Sequence, residues 1–153
     1  MKADFIPLTA GAMDRALGMM DRLYSDAGDA HDRDRARRAA LVLMENPDLG
    51  GIWLIGAPAI EPEAETAGYI CITLGYSLEF DGRFALLDEL YVEAAWRGRG
   101  IGAQAIAFAE EWSRARGLAA IRLEVARGNV RAMELYQRHG FAAHDRHLMT
   151  KWL

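Results

Sequence analysis

The sequence predicts an α/β domain built on a mixed central sheet. Three observations carry this. Residues 84–92 are apolar, aromatic and β-branched, as a buried strand requires. A glycine-rich turn then leads into a different spacing, with Ile101, Ala105, Phe108, Ala109 and Trp112 on one helical stripe. Gly117 breaks that helix before a further apolar run at 120–125. A strand–helix–strand unit of this length implies a right-handed parallel crossover. Asp81-Gly82 lies between two apolar runs and signals an antiparallel hairpin, because a type I′ turn favours such residues.

The remaining elements follow in chain order. Residues 5–8 form a first short strand, and Thr9 is a candidate N-cap. Met13, Ala16, Leu17, Met20, Leu23 and Tyr24 recur at helical spacing up to Gly28, the methionines serving as core filler. Residues 31–46 read as a second helix whose first half carries mixed charge, a solvated face rather than a nucleic-acid patch. Pro47 ends it. Strands follow at 51–57 and 68–80, separated by a polar, proline-bearing loop at 58–66 whose three glutamates have nothing to fix them on a metal. Asn129 can cap a last helix running to about His139, and Gly140 permits a left-handed stop. Residues 141–153 supply one or two final strands, giving six to seven strands and about four helices. His144 and His147 would face opposite ways in a strand, which argues against a shared metal.

The length of 153 residues suits one domain, 1–153, with a real core. A net charge of −4 excludes a global basic field, so neither nucleic acid nor an anionic membrane is an expected partner. One cysteine, Cys71, forbids an intrachain disulfide. No apolar run is long enough to span a bilayer, and the N-terminus lacks an apolar signal core, so a cytoplasmic location is expected.

The turn Arg97-Gly98-Arg99-Gly100-Ile101-Gly102 has the chemistry of an anion site. Glycine admits close backbone approach, and the first N–H groups of a helix point outward with partial positive charge. A phosphate or pyrophosphate suits it best. It is not a P-loop, which ends in Gly-Lys-Ser/Thr, nor a dinucleotide fingerprint, whose third glycine is spaced differently. The pattern Arg-x-x-Gly-x-Gly after a strand ending Leu90-Tyr91-Val92 resembles the acyl-CoA-binding signature of the GNAT superfamily of N-acetyltransferases. A second resemblance is Asn129 opening a helix that holds Ala132 and Tyr136 and closes on Gly140-Phe141. Together these cover residues 69–141. The resemblance implies a V-splayed sheet flanked by helices, acetyl-CoA as acyl donor, and no metal.

A thioester needs its diphosphate anchored, its pantetheine amides paired and its carbonyl polarised. The helix end serves the first, the strand edge at Leu90–Val92 the second, and a backbone N–H there the third. Tyr136, with an ordinary pKa of about 10, can protonate a thiolate whose conjugate acid lies near 8.5. Its plainer reading is an amphipathic core residue. An alkylamine at about 10.4 arrives protonated, and Glu89 can take the proton. A strand carboxylate paired to an Arg or Lys is the competing reading, and Glu79 and Asp88 stay open as weaker bases. If the hairpin loop has two residues, Tyr76 faces Leu87 and Leu74 faces Glu89, so Tyr76 and Glu89 become diagonal neighbours on the acceptor side and Asp88 points the other way. A bulge near Glu89 would shift this count. No histidine near Cys71 could activate it, which speaks for direct transfer in a ternary complex. The acceptor is a small-molecule amine or a protein amino group, and a homodimer is left open. The rival class is a non-catalytic acyl-CoA-binding or regulatory protein, which would not need Tyr136.

Overall fold

The computed structural model describes residues 2–57 and 66–153. The glutamates at 61, 63 and 65 lie outside the described residues. The strands are β1 (Asp4–Pro7), β2 (Gly50–Gly56), β3 (Thr66–Ser77), β4 (Gly82–Val92) and β5 (Ile121–Leu123). They form one sheet in the order β1-β2-β3-β4-β5. All neighbours are antiparallel except β4 and β5, which run parallel. The helices are α1 (Met13–Ala27), α2 (Arg33–Glu45), α3 (Ile101–Ala115) and α4 (Val130–Arg138).

The sheet is covered on both faces, so β3 is buried almost continuously from Ala67 to Ile72. Alternate side chains go to separate cores. Ile70 and Ile72 join Ala105, Ala109 and Trp112 of α3. Tyr69 and Cys71 join Ala16, Leu17, Met19 and Met20 of α1 and Ala40 of α2. Helix α1 stops where Gly28 turns left-handed at φ 78°, with the Asp29 N–H returning to the Tyr24 carbonyl at 2.9 Å. The Asp32 side chain caps α2 by accepting from the Arg35 N–H at 3.0 Å.

Two expectations are corrected. The sheet has five strands among the described residues, not six or seven, because 141–153 forms none. β5 offers an edge of only three residues, and the polar run His144-Asp145-Arg146-His147 interrupts any apolar alternation. Side chains tie this segment down instead: Arg146 to Glu79 at 3.4 Å, and Trp152 beneath Arg35 at 5.1 Å. The hairpin also differs. The Ser77 hydroxyl accepts from the Glu79 N–H at 3.2 Å and starts a 3₁₀ turn, so β3 ends at Ser77 and not at Phe80. Ser77 pairs Gly82 and Tyr76 pairs Arg83. A bulge opposite Cys71 and Ile72 then leaves Asp88 as an extra residue on β4, and Glu89 pairs Cys71.

One glycine position matters for the site's frame. A Cβ on Gly68 would lie 2.0 Å from the Tyr91 carbonyl oxygen, a backbone atom that cannot swing aside. Gly68→Ala is expected to force β3 from the end of β4 and cost about 1–3 kcal/mol. Chemical denaturation measures this, and an unchanged midpoint would show that the pairing yields freely.

Candidate functional site

The sheet opens beside β4. Parallel pairing with β5 covers only Ala85, Leu86 and Leu87, so among the described residues no strand pairs with the rest of β4 on that side. The Glu93 N–H turns to the Ala67 carbonyl on the β3 side, at 2.8 Å. Alternation along the strand therefore directs the backbone groups of Leu90 and Val92 to the open side. The Val92 carbonyl there accepts from Arg97 Nε at 2.8 Å. The Leu90 N–H and C=O and the Val92 N–H face the gap, a short edge on which an amide-bearing chain can pair.

The glycine-rich turn follows directly. After a 3₁₀ turn at Ala94–Trp96, Gly98 and Gly100 take φ of 78° and 79°, a region costly for other residues. Gly100 carries no side-chain cap, and its carbonyl receives the Gln104 N–H at 3.1 Å. The N–H groups of Ile101, Gly102 and Ala103 thus have no partner within the helix and form an anion-ready end. Ile101 itself is buried in the core and offers only its backbone. Arg99 lies over the Trp96 ring at 4.9 Å. Arg97 is committed to the scaffold: it holds the Val92 carbonyl, pairs with Asp26 of α1 at 2.8 Å, and lies over Tyr91 at 5.5 Å. A Cβ on Gly102 would sit 3.0 Å from Leu135, so this glycine serves helix packing. Asn129 accepts from the Ala132 N–H at 3.2 Å and caps α4.

Glu89 lies on the α1 side of the sheet. Tyr24 of α1 donates to its Oε1 at 3.0 Å, and the fully buried Tyr69 of β3 donates to Oε2 at 2.8 Å. Burial raises the Glu89 carboxyl above the usual range, partly offset by the two tyrosines. Burial, with the nearby Glu89 charge, pushes Tyr24 up to about 12 and Tyr69 higher still, so both remain donors. No Arg or Lys forms an ion pair with Glu89 or Asp88 among the described residues. The competing reading of Glu89, a carboxylate paired to a strand neighbour, thereby loses its partner. Glu79 does have that arrangement, with Arg122 and Arg146.

The bulge changes what surrounds Glu89. Tyr76 is 74 % exposed. It lies five residues beyond Cys71 on β3, roughly 17 Å away at a strand's rise, and strand alternation puts it on the opposite face. The diagonal relation that nominated it for the acceptor side does not exist. Asp88, expected on the far face, is instead the exposed extra residue of the bulge, and its charge contributes to raising the pKa of Tyr24 and Cys71. The Cys71 thiol is pushed up by burial and then by Asp88 and Glu89, which disfavours a nucleophilic thiolate. Tyr24 and Tyr69 were not nominated from the sequence. The available signal was a tyrosine on an apolar stripe, whose hydroxyl must find a partner.

Tyr136 approaches from the other side. Its ring packs against the α3 core with Leu90, Val92 and Trp96, and meets Phe141 edge-on at 5.8 Å. Burial raises its hydroxyl above the ordinary value. It also walls a groove of about 1270 Å³ between β5, α4 and residues 139–148. Glu89 and Tyr136 therefore come from opposite faces of the sheet.

Comparison with known proteins gives this arrangement its family. The Acetyltransferase (GNAT) family model matches residues 18–141. The chain belongs to the GNAT acetyltransferase family. A thialysine N-epsilon-acetyltransferase from Bos taurus is 35% identical over 88 residues, 57% of this chain and 51% of that protein. The chain thus spans about half the length of this curated relative. An integron cassette protein from the mobile metagenome of Cole Harbour Salt Marsh is 32% identical, with a TM-score of 0.81 over 97% of this chain and 90% of that one. The GNAT fold is shared at 17% identity with the aminoglycoside acetyltransferase AAC(6′)-Iy, solved with a CoA bisubstrate analogue, at a TM-score of 0.78 over 100% and 99% of the two chains. A predicted acetyltransferase from Clostridium acetobutylicum, solved with acetyl-CoA, has a TM-score of 0.80 at 16% identity, over 97% and 96%. Among the described residues no group of three His, Cys, Asp or Glu is placed to hold a metal, and no helix is long and apolar enough to cross a membrane.

Proposed function

We propose that the protein is an N-acetyltransferase that moves an acetyl group from acetyl-CoA to a primary amine by direct attack in a ternary complex. The observation that carries this is Glu89: a half-buried carboxylate without a cationic partner, held by two tyrosines beside the open end of β4. The N–H groups opening α3, with Arg99, hold the diphosphate, and the edge at Leu90 and Val92 pairs the pantetheine amides. Glu89 accepts a proton from the incoming ammonium, directly or through one water. The amine nitrogen bonds to the thioester carbon, and the resulting oxyanion is met by a backbone N–H of the β4 edge. The C–S bond then breaks as the carbonyl re-forms, Tyr136 gives its proton to the departing sulfur, and the nitrogen, cationic since the attack, releases its second proton to solvent, from which Tyr136 is reprotonated. The sulfur, not Cys71, carries the electron pair away.

The amine-directed chemistry agrees with the acceptors in the names of the curated relative and of AAC(6′)-Iy. An acceptor screen with acetyl-CoA over small amines and lysine peptides, following thiol release, tests the reading. Release with at least one amine is expected. Tight CoA binding with no release from any amine would favour an acyl-CoA-binding protein without turnover.

The donor site carries its own expectation. Valine at position 100 would have to adopt a φ near 79°, so the turn re-forms rather than accept strain of about 1–3 kcal/mol. Gly100→Val should weaken CoA binding about tenfold or more while the far-ultraviolet circular dichroism stays unchanged. Wild-type CoA affinity by calorimetry would remove this turn from the diphosphate site.

A further inference from the structure

We propose that Tyr24 is a positioning residue for Glu89, and that the turn between α1 and α2 sets Tyr24 through His31. This rests on Glu89 acting as the base. Each Glu89 oxygen takes one tyrosine hydroxyl, Oε1 from Tyr24 and Oε2 from Tyr69. A carboxylate has about four acceptor sites. Two donors on different oxygens fix its plane and leave a lone pair on each for the incoming ammonium or a water. Tyr69 is fixed by the sheet and fully buried. Tyr24 arrives from 65 residues away, on the last full turn of α1.

What holds Tyr24 is not generic core. The His31 ring lies 4.7 Å from the Tyr24 ring, tilted by 31°. His31 Nδ1 meets Asp21 Oδ1 at 2.5 Å, and Arg33 holds the other Asp21 oxygen at 2.5 Å. Asp21 precedes Tyr24 by three residues, so the two share one face of α1. The chain therefore leaves α1 at Gly28, reverses, and lays His31 back across Tyr24. The His31 side chain is only 10% exposed. Packing alone would be satisfied by phenylalanine at 24, and among the described residues the hydroxyl's one hydrogen bond goes to Glu89. The same stretch of α1 ties to the donor side, through Arg22 to Glu93 and Asp26 to Arg97. Helix α1 thus fixes the base relative to the turn that opens α3.

The titratable groups around Glu89 are Tyr24 from α1, Tyr69 and Cys71 from β3, Asp88 from its own strand, and His31 from the turn, with Asp29 acting on Tyr24. Burial and Asp88 raise the Glu89 carboxyl, while the two tyrosines and His31 lower it. Removing the Tyr24 hydroxyl therefore moves Glu89 upward, and so does removing His31.

The test needs no known acceptor. Protein labelled with ¹³C at glutamate carboxyls is titrated by NMR, with the Glu89 signal assigned by its loss in Glu89→Gln. Tyr24→Phe should raise the Glu89 midpoint, because the donor that favours the carboxylate is gone. Once an acceptor is found, the acid limb of kcat/KM should move up by the same amount. If Tyr24→Phe loses its near-ultraviolet dichroism, His31→Phe is titrated in its place, since it keeps an aromatic ring on Tyr24 and removes the tie to Asp21. An unmoved midpoint in a folded variant overturns the proposal. A shifted midpoint together with full turnover in Glu89→Gln would leave the contact in place and instead remove Glu89 as base, so the two failures are distinct.

Discussion

Glu89→Gln is expected to bind acetyl-CoA like the wild type and to lose turnover by about 10²–10⁴-fold. The loss has a pH signature. Burial raises Glu89 above its ordinary 4.5, and the base form is needed, so wild-type activity falls as pH drops through that raised value. The variant depends on free amine, which is scarce below about 10.4. The ratio of wild type to variant should therefore be largest at low pH, level below the Glu89 midpoint where both rates fall together. It should narrow about tenfold per pH unit as the amine deprotonates unaided. Stability supplies an independent sign. A carboxyl raised by burial is best accommodated when protonated, and its contribution is lost as pH rises through the folded value. The amide variant should consequently show no loss of stability at neutral pH that grows with pH, as removal of a favourable carboxylate would give. Steady-state rates across pH with chemical denaturation decide this. A flat rate ratio, or a loss confined to folding, would assign Glu89 to structure.

The family motifs were legible because they are local. Gly98 and Gly100 need positive φ, and Asn129 needs only the N–H of Ala132 three residues on. Helix ends at Gly28 and Pro47 were legible for the same reason. The acceptor side was not. The hairpin count assumed the turn that Asp-Gly favours, but the Ser77 side chain competes by opening a turn earlier. The bulge at Asp88 interrupts a strand with neither glycine nor proline to mark it, and a one-residue slip exchanges the faces. The longer hairpin carried Tyr76 away from Glu89, and the slip put the two on opposite faces. Glycine type alone also did not reveal that Gly102 makes room for Leu135. Tyr24 was assigned correctly to the apolar stripe of α1, yet its hydroxyl partner lies 65 residues away and no periodicity encodes it. The C-terminal strands failed because composition specifies an apolar segment but not an edge long enough to receive it.

Tyr136→Phe separates enzyme from binding module most sharply. The substitution deletes one hydroxyl and keeps a ring that packs against Phe141 and the α3 core. Among the described residues no hydrogen bond engages that hydroxyl, so its removal should leave folding intact and acetyl-CoA affinity nearly unchanged. Burial raises Tyr136 above its ordinary value of 10.0, so it stays protonated throughout the neutral range. The same burial makes it a weaker acid. Its proton is therefore given up only as negative charge grows on the departing sulfur, whose conjugate acid lies near 8.5. Turnover should fall by about 10²–10⁴-fold near neutrality. The deficit should shrink at high pH, where the thiolate can leave unprotonated. Calorimetry with CoA, near-ultraviolet dichroism and thiol-release rates distinguish the outcomes. A Phe variant that keeps the full neutral rate would exclude the hydroxyl as proton donor. One that loses CoA affinity in proportion to rate would make Tyr136 part of the donor's binding surface instead.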